Sequence, residues 1–281
     1  MKKSILFTIL ALVVFILCIF FYWYIVSKDN SEDNNNDNLK ITVLDVGKAD
    51  SILLSIGDKN VLIDTGEDGN GQYILTYLRR NNVKKLDYMI ITHFDKDHVG
   101  GADIILDNID VSNVIQAKYN KHSKQFNEYI EALNNKNINP ISLTQTMSFN
   151  LNGVEFTIYP PNKETYAESD NDFSLVTSVK HQSNSFLFAG DAENERLQEL
   201  LDSGNLNHTF LKVPHHGKYN SNSEEFLTAV NPKYAAITCS KKNPADSRIL
   251  SILDTLKTKT YLTTNGDIKI LSDGNNINIS Q

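Results

Sequence analysis

Four apolar runs in this chain stop at the same kind of residue. VLIDTG closes on Asp64, LDYMIITHFDKDH on His93, Asp95, Asp97 and His98, SFLFAGDAE on Asp191, and FLKVPHHG on His215 and His216. Short runs of β-branched and aliphatic residues punctuated by Gly, Asp and Asn read as strands. A fold that brings such strand ends together brings their acids and imidazoles together too. That requirement constrains the architecture more than any local propensity does.

The rest of the chain supplies the strands and helices for it. LKITVLDVG, DSILLSIG and NVLIDTG read as three consecutive strands, forming one edge of an antiparallel or mixed sheet. A helix is expected from about Gln72 to Asn81, followed by the strand LDYMIIT, a helix in ADIILDNI, a strand in NVIQAK and a helix in KQFNEYIEALNNKN. Strands between Ile141 and Pro161 meet at Asn152-Gly153, a hairpin signal, and SLVTSVKH pairs with SFLFAGD around QSNS. ENERLQELLDSG is a helix closed by Gly204, and TFLKVPHHG is a strand running into a loop. SEEFLTAV, KYAAITCS, SRILSILDTL and TYLTTNGDIKIL then alternate helix, strand, helix, strand. Strands with helices interleaved in both halves imply an α/β sandwich of two sheets with helices outside. No internal repeat is evident.

The N-terminus stands apart. Ile5 to Val26 is an almost uninterrupted apolar run of 22 residues, roughly 33 Å long as a helix, enough to cross a bilayer. Lys2 and Lys3 precede it and the acidic SKDNSEDNNNDN follows, so residues 1–4 are expected in the cytoplasm, 5–26 in the membrane, 27–38 as a flexible tether, and 39–281 as an extracytoplasmic domain. The whole is then a single-pass protein of the cell membrane. A cleaved signal peptide fits less well, because the run is long and no small-x-small site follows it. A lipid on Cys18 is disfavoured by the bulky Leu17 and Ile19. With Cys18 inside the run, Cys239 has no partner and no disulfide framework exists. The first 38 residues carry three Lys and four acids, which leaves −6 of the net −7 on the domain. Such a domain is a poor non-specific binder of duplex DNA.

His93, Asp95 and Asp97 alternate, so a backbone that stays extended past the strand end points all three side chains one way, as metal ligation needs. Gly100 and Gly101 let the next helix start close by. The competing reading is a solvated loop with a helix-capping Asp. Asp191 alone would suit the cap of the helix ENERLQELL, Asp64 would suit a turn bonding backbone amides, and DVGKAD places Asp45 and Asp50 near the same edge.

Taken in order, LDVGKADSILL, VLIDTG, THFDKDHVGG, FLFAGDAE and LKVPHHG resemble the metallo-β-lactamase superfamily, and within it the metallohydrolase domain of ComEC-type competence (DNA-uptake) proteins. The resemblance runs from about Leu39 to the C-terminus. It implies an αββα sandwich, two divalent metal ions at the sheet edges, and hydrolysis of esters, amides or phosphoesters. It also implies that His93, Asp95 and Asp191 hold one ion, and Asp97, His98, Asp191 and one of His215 or His216 the other, with Asp191 bridging. Asp97 would orient the nucleophile, and the histidine of the pair that is not a ligand would serve the leaving group. Lys212 and Lys218 either hold a phosphate or are solvated surface lysines.

Three departures qualify the match. Asp95 stands where the commonest pattern has His, and its harder oxygen makes manganese a rival to zinc. The third-motif His is missing at NDFSLV, with His181 the nearest substitute. SKKNPADSR stands where the branch often has His-Pro, so what that His contributes is either absent or supplied differently, with Asp246 the candidate. The expected function is an anchored metal-dependent hydrolase of phosphodiester bonds, in nucleic acid, nucleotides or cell-wall phosphoesters. A single apolar span rules out a DNA channel. The alternatives are a metal-binding or sensor domain with weak or no catalysis, and a lactam or thioester hydrolase.

Overall fold

The computed structural model describes residues 38–167 and 170–281, with residues 16 and 19–21 in addition. The expected membrane span at 5–26 and tether at 27–38 fall almost wholly outside these. Among the described residues no helix is long and apolar enough to cross a membrane. The chain divides into two units after Asp37, and the second, residues 38–281, holds every strand among the described residues.

Two sheets form the centre of that unit. The first has the order β17 (Ile277–Ser280), β16 (Ile268–Ser272), β1 (Leu39–Val43), β2 (Ile52–Ile56), β3 (Lys59–Ile63), β5 (Tyr88–Ile91), β7 (Val114–Ala117), β8 (Ile141–Leu143). The second has the order β15 (Lys259–Leu262), β14 (Tyr234–Ile237), β13 (Phe210–Lys212), β12 (Asn184–Phe188), β11 (Val176–His181), β10 (Val154–Tyr159), β9 (Met147–Leu151). A short pair, β4 (Lys85–Leu86) and β6 (Asp110–Val111), lies apart.

The continuous apolar runs are strands buried on both faces. In β5, Ile90 joins the core shared by the two sheets, while Met89 and Ile91 join a core under the helices Gly71–Arg80, Ala102–Asn108 and Lys124–Asn135. In β12, Phe186 and Phe188 face the shared core, and Leu187 faces the core under the helices Asn194–Asp202, Ser223–Val230 and Ser247–Thr255. The result is four layers, αββα. Truncating Phe186 or Phe188 to Ala would cost about 3–5 kcal/mol, because the surrounding layers cannot close the cavity.

The parallel strands position the polar residues. β3 is parallel to β5, and β12, β13 and β14 are mutually parallel, so their C-terminal ends lie at common edges. Helical crossovers make that possible, because parallel neighbours need a long return path.

Several details differ from the sequence reading. The strands β1 to β3 are not an edge of their sheet, since β16 and β17 extend it beyond β1. TYLTTNGDIKIL is two strands in different sheets, split by a turn at Thr263–Asn265 that ends on Gly266 with φ 114°. β17, INIS, alternates apolar and polar residues but is only four residues long, too short to announce itself. The backbone does not stay extended through Asp97 either: Asp95 is its last extended residue, and a short helix runs Lys96–Val99. Asp97 and His98 therefore reach inward from a helical turn. Gly101 permits that turn, because a side chain there would lie 2.5 Å from the Thr65 carbonyl oxygen.

Candidate metal centre

Asp97, His98, Asp191 and His216 converge: one ligand atom from each lies within 4.8 Å of all the others, and all four residues are buried. His98 Nε2 is 3.2 Å from Asp191 Oδ1, and His216 Nε2 is 3.1 Å from Asp191 Oδ2 and 3.5 Å from Asp97 Oδ2. Beside them, His93 Nε2 lies 4.0 Å from Asp95 Oδ2. The buried Nε2 atoms of His93, His98 and His216, and Asp191 Oδ1, have no well-aligned hydrogen-bond partner. Buried polar atoms without partners are rare and need an explanation. Two imidazole nitrogens and two carboxylates drawn together in this way are the donor set of a zinc or manganese ion, and these residues fit one.

The two adjacent histidines separate their roles through backbone strain. His215 (φ 46°, ψ 47°) and His216 (φ 52°, ψ 28°) are both left-handed, a conformation that non-glycine residues adopt at a cost of about 1 kcal/mol or more. Gly217 follows at φ 75° and packs so closely that a side chain would meet Ile237 at 2.9 Å. His216 thereby turns into the cluster. His215 instead puts Nδ1 2.7 Å from Glu193 Oε1, with Nε2 3.9 Å from Asp191 Oδ2.

A second row of contacts orients the cluster. Asp64, itself left-handed at φ 58°, accepts hydrogen bonds from Thr92 N at 2.8 Å and Thr92 Oγ1 at 2.7 Å, and its Oδ2 lies 2.7 Å from His98 Nδ1. That fixes which nitrogen of His98 faces the cluster. His216 Nδ1 is held by the Thr238 carbonyl oxygen at 3.1 Å and Thr238 Oγ1 at 3.0 Å, and Thr238 in turn donates to Asp50 Oδ1 at 2.6 Å. The Lys212 ammonium, fully buried, pairs with Asp50, donates to the Gly190 carbonyl at 3.2 Å and lies 3.7 Å from Asp191 Oδ1. Asp191 N donates to Ser174 Oγ at 3.1 Å.

The electrostatics follow from these neighbours. Burial disfavours the charged form of Asp191, but His216 and His98 outweigh it and hold the carboxyl well below its ordinary range. Burial likewise opposes protonation of His98, and the Asp191 and Asp64 carboxylates overcome it and raise its pKa. His93 has the opposite balance: burial first, then the charge of His98, push it down to about 4, so it is neutral and ready to donate a lone pair at pH 7.

Other sequence expectations resolve differently. Lys212 is neither a surface lysine nor free to hold phosphate, because Asp50 takes its charge. Lys218 is exposed, 3.5 Å from Glu193. His181 sits at the end of β11 paired with Asn184, the far end of β12 from Asp191, with Nδ1 2.9 Å from Ser272 Oγ. It therefore does not replace the missing histidine. At NDFSLV the structure places Asn171, whose Nδ2 is 3.5 Å from His215 Nε2, and Ser174. Asp172 accepts from Glu193 N at 2.9 Å and Arg196 N at 3.1 Å, anchoring the helix Asn194–Asp202, whose N-cap is Glu193 and not Asp191. Asp246 caps the helix Ser247–Thr255 by accepting from Arg248 N at 2.9 Å, so it is occupied there. Asp45 remains outside the cluster and accepts from Gly47 N at 3.4 Å. Sequence reasoning gave no role to Thr92, Ser174, Thr238, Glu193, Lys48 or Lys121. Of these, only Lys48 in DVGKAD and Glu193 in GDAE carry a signal, being charges inside already suspicious motifs.

Comparison with known proteins bears on the family and the fold. A family model described as the metallo-beta-lactamase superfamily matches residues 44–240. The chain is 27% identical over 225 residues to ComE operon protein 3 of Bacillus subtilis, covering 73% of this chain and 29% of that protein. It is 29% identical over 226 residues to Recombination protein 2 of Haemophilus influenzae, covering 77% and 26% respectively. It thus spans less than a third of these curated relatives. The metallo-beta-lactamase fold protein YhfI from Bacillus subtilis superposes with a TM-score of 0.59 at 11% identity, covering 84% of this chain and all of that one, which is a likeness of fold alone. The chain belongs to the metallo-beta-lactamase superfamily, as a hydrolase resembling the competence-protein branch.

Proposed function

We propose that this protein is a membrane-anchored, extracytoplasmic hydrolase that cleaves phosphodiester bonds with the aid of two divalent ions, zinc or manganese. The convergence of four buried ligand side chains at the C-terminal ends of parallel strands carries the reading. In it, His93, Asp95 and Asp191 hold one ion, and Asp97, His98, Asp191 and His216 hold the other. Bound there, the ions would supply a hydroxide near neutral pH and offset the charge that builds on the phosphoryl oxygens. Asp97 orients the attacking water. His215, backed by Glu193 at 2.7 Å, is placed to deliver a proton to the leaving oxygen. The apolar segment 5–26 is the anchor, 27–38 the tether and 39–281 the catalytic domain. Nucleic acid as substrate is supported by the likeness to recombination and competence proteins, while the acidic domain favours smaller phosphoesters.

The test is to measure metal content and hydrolysis of a generic phosphodiester, DNA, a lactam and a thioester by the full chain, with zinc or manganese added, beside Asp97→Ala. Activity that survives Asp97→Ala places the chemistry elsewhere. Less than about one ion per chain together with no hydrolysis would instead favour a sensor or binding domain. The presence of Asn171 and Ser174 at the third-motif position is the observation that keeps that second reading in play.

A further inference from the structure

The two halves of the proposed centre are not equally available to a cation. Asp95 is already engaged: its Oδ1 lies 2.7 Å from Lys121 Nζ, and the same ammonium is 2.6 Å from Asp170 Oδ2. Lys121 is no loose surface lysine, since its side chain is only 24% exposed. Its segment is fixed two residues earlier by Tyr119, whose ring stacks between Phe94 and Phe173 at centroid distances of 4.7 and 4.2 Å. The Tyr119 hydroxyl also accepts a hydrogen bond from Phe94 N at 2.6 Å, tying it to the strand exit that carries His93 and Asp95. A fixed positive charge thus stands against the carboxylate that an ion at His93 would need.

The inner cluster differs. Lys48 does reach Asp97, at 3.0 Å, but it is 36% exposed, and Asp97 is its one carboxylate partner among the described residues. His98, Asp191 and His216 remain as three buried donors without Asp97.

We propose that Lys121 is a built-in cation that makes the centre unequal: an ion is held tightly by Asp97, His98, Asp191 and His216, and a second at His93 and Asp95 only when Lys121 releases Asp95. The inference rests on reading the cluster as a divalent-ion centre. It makes Lys121, outside every ligand motif, the residue that sets metal stoichiometry. At low free metal the protein carries one ion and a lysine, and at higher concentration it carries two ions.

Equilibrium dialysis of the full chain against manganese, with electron paramagnetic resonance to detect coupled ions, tests this. The wild type is expected to bind one ion tightly and a second about tenfold or more weakly, the scale a nearby unit charge sets. Lys121→Met should bring the second ion to within about threefold of the first and produce the coupled signal at lower metal, while Lys121→Arg should leave the two-step pattern intact. Lys121→Gln serves as a second neutral variant, and unchanged affinity for the first ion reports an intact fold. Equal affinity for two ions in the wild type, or no tightening in either neutral variant, overturns the role of Lys121. Absence of any bound ion in all of these proteins removes the divalent-centre reading as well.

Discussion

The inner and outer halves of the centre are built by different means. Inside, Asp97, His98, Asp191 and His216 are buried, and Asp64, Thr238, Asp50 and Lys212 stand behind them. Outside, His93 is buried but Asp95 is 34% exposed and answers to a lysine. Burial makes every unmet charge expensive, so the inner half needs a complete set of partners in the protein itself. The outer half borrows screening from water and tolerates an exchangeable partner.

The comparison can be broken most severely at Asp191, the residue that the proposed assignment gives to both halves. Asp191→Ala should lower phosphodiester turnover by on the order of 10³-fold or more and release bound metal from both positions, read by steady-state kinetics and metal analysis. Next in size, Lys212→Met leaves Asp50 buried without its cation and should cost about 3–5 kcal/mol, read by urea unfolding. Smaller again, Asp64→Asn should weaken the inner ion about 10–100-fold by removing the carboxylate charge behind the His98 ring, read by metal titration. Asn tolerates the left-handed backbone at that position, so the fold should survive. Lys218→Ala, at an exposed pair, should change stability by less than about 0.5 kcal/mol. A large effect there would mean that the outer surface carries more of the site than its exposure suggests.

Much of this was legible in the chain because strand ends and turns announce themselves. Asn152-Gly153 turns β9 into β10 as the hairpin signal implies, with Leu151 opposite Val154, and the helix expected over 72–81 runs Gly71–Arg80. The cluster was legible as a set of motifs, yet its inner geometry was not. Spacing could not choose between His215 and His216, because the choice is made by two left-handed residues that no pattern encodes. Lys212 in FLKVP reads as a phosphate holder or a surface lysine, since its partner Asp50 lies on a distant segment. The split of TYLTTNGDIKIL escaped for a related reason: Leu262 and Ile268 are both good strand residues, and nothing local says that they serve opposite sheets.

That crossing has a consequence for synthesis. β1, which opens the domain, pairs on one side with its neighbour β2 and on the other with β16, Val43 opposite Ile268. A nascent chain can form the β1–β2 hairpin early, but its free flank stays an open, adhesive border until residues 268–272 leave the ribosome. Closure of the first sheet is therefore a late event, and the interval before it is when this domain is most exposed to mispairing.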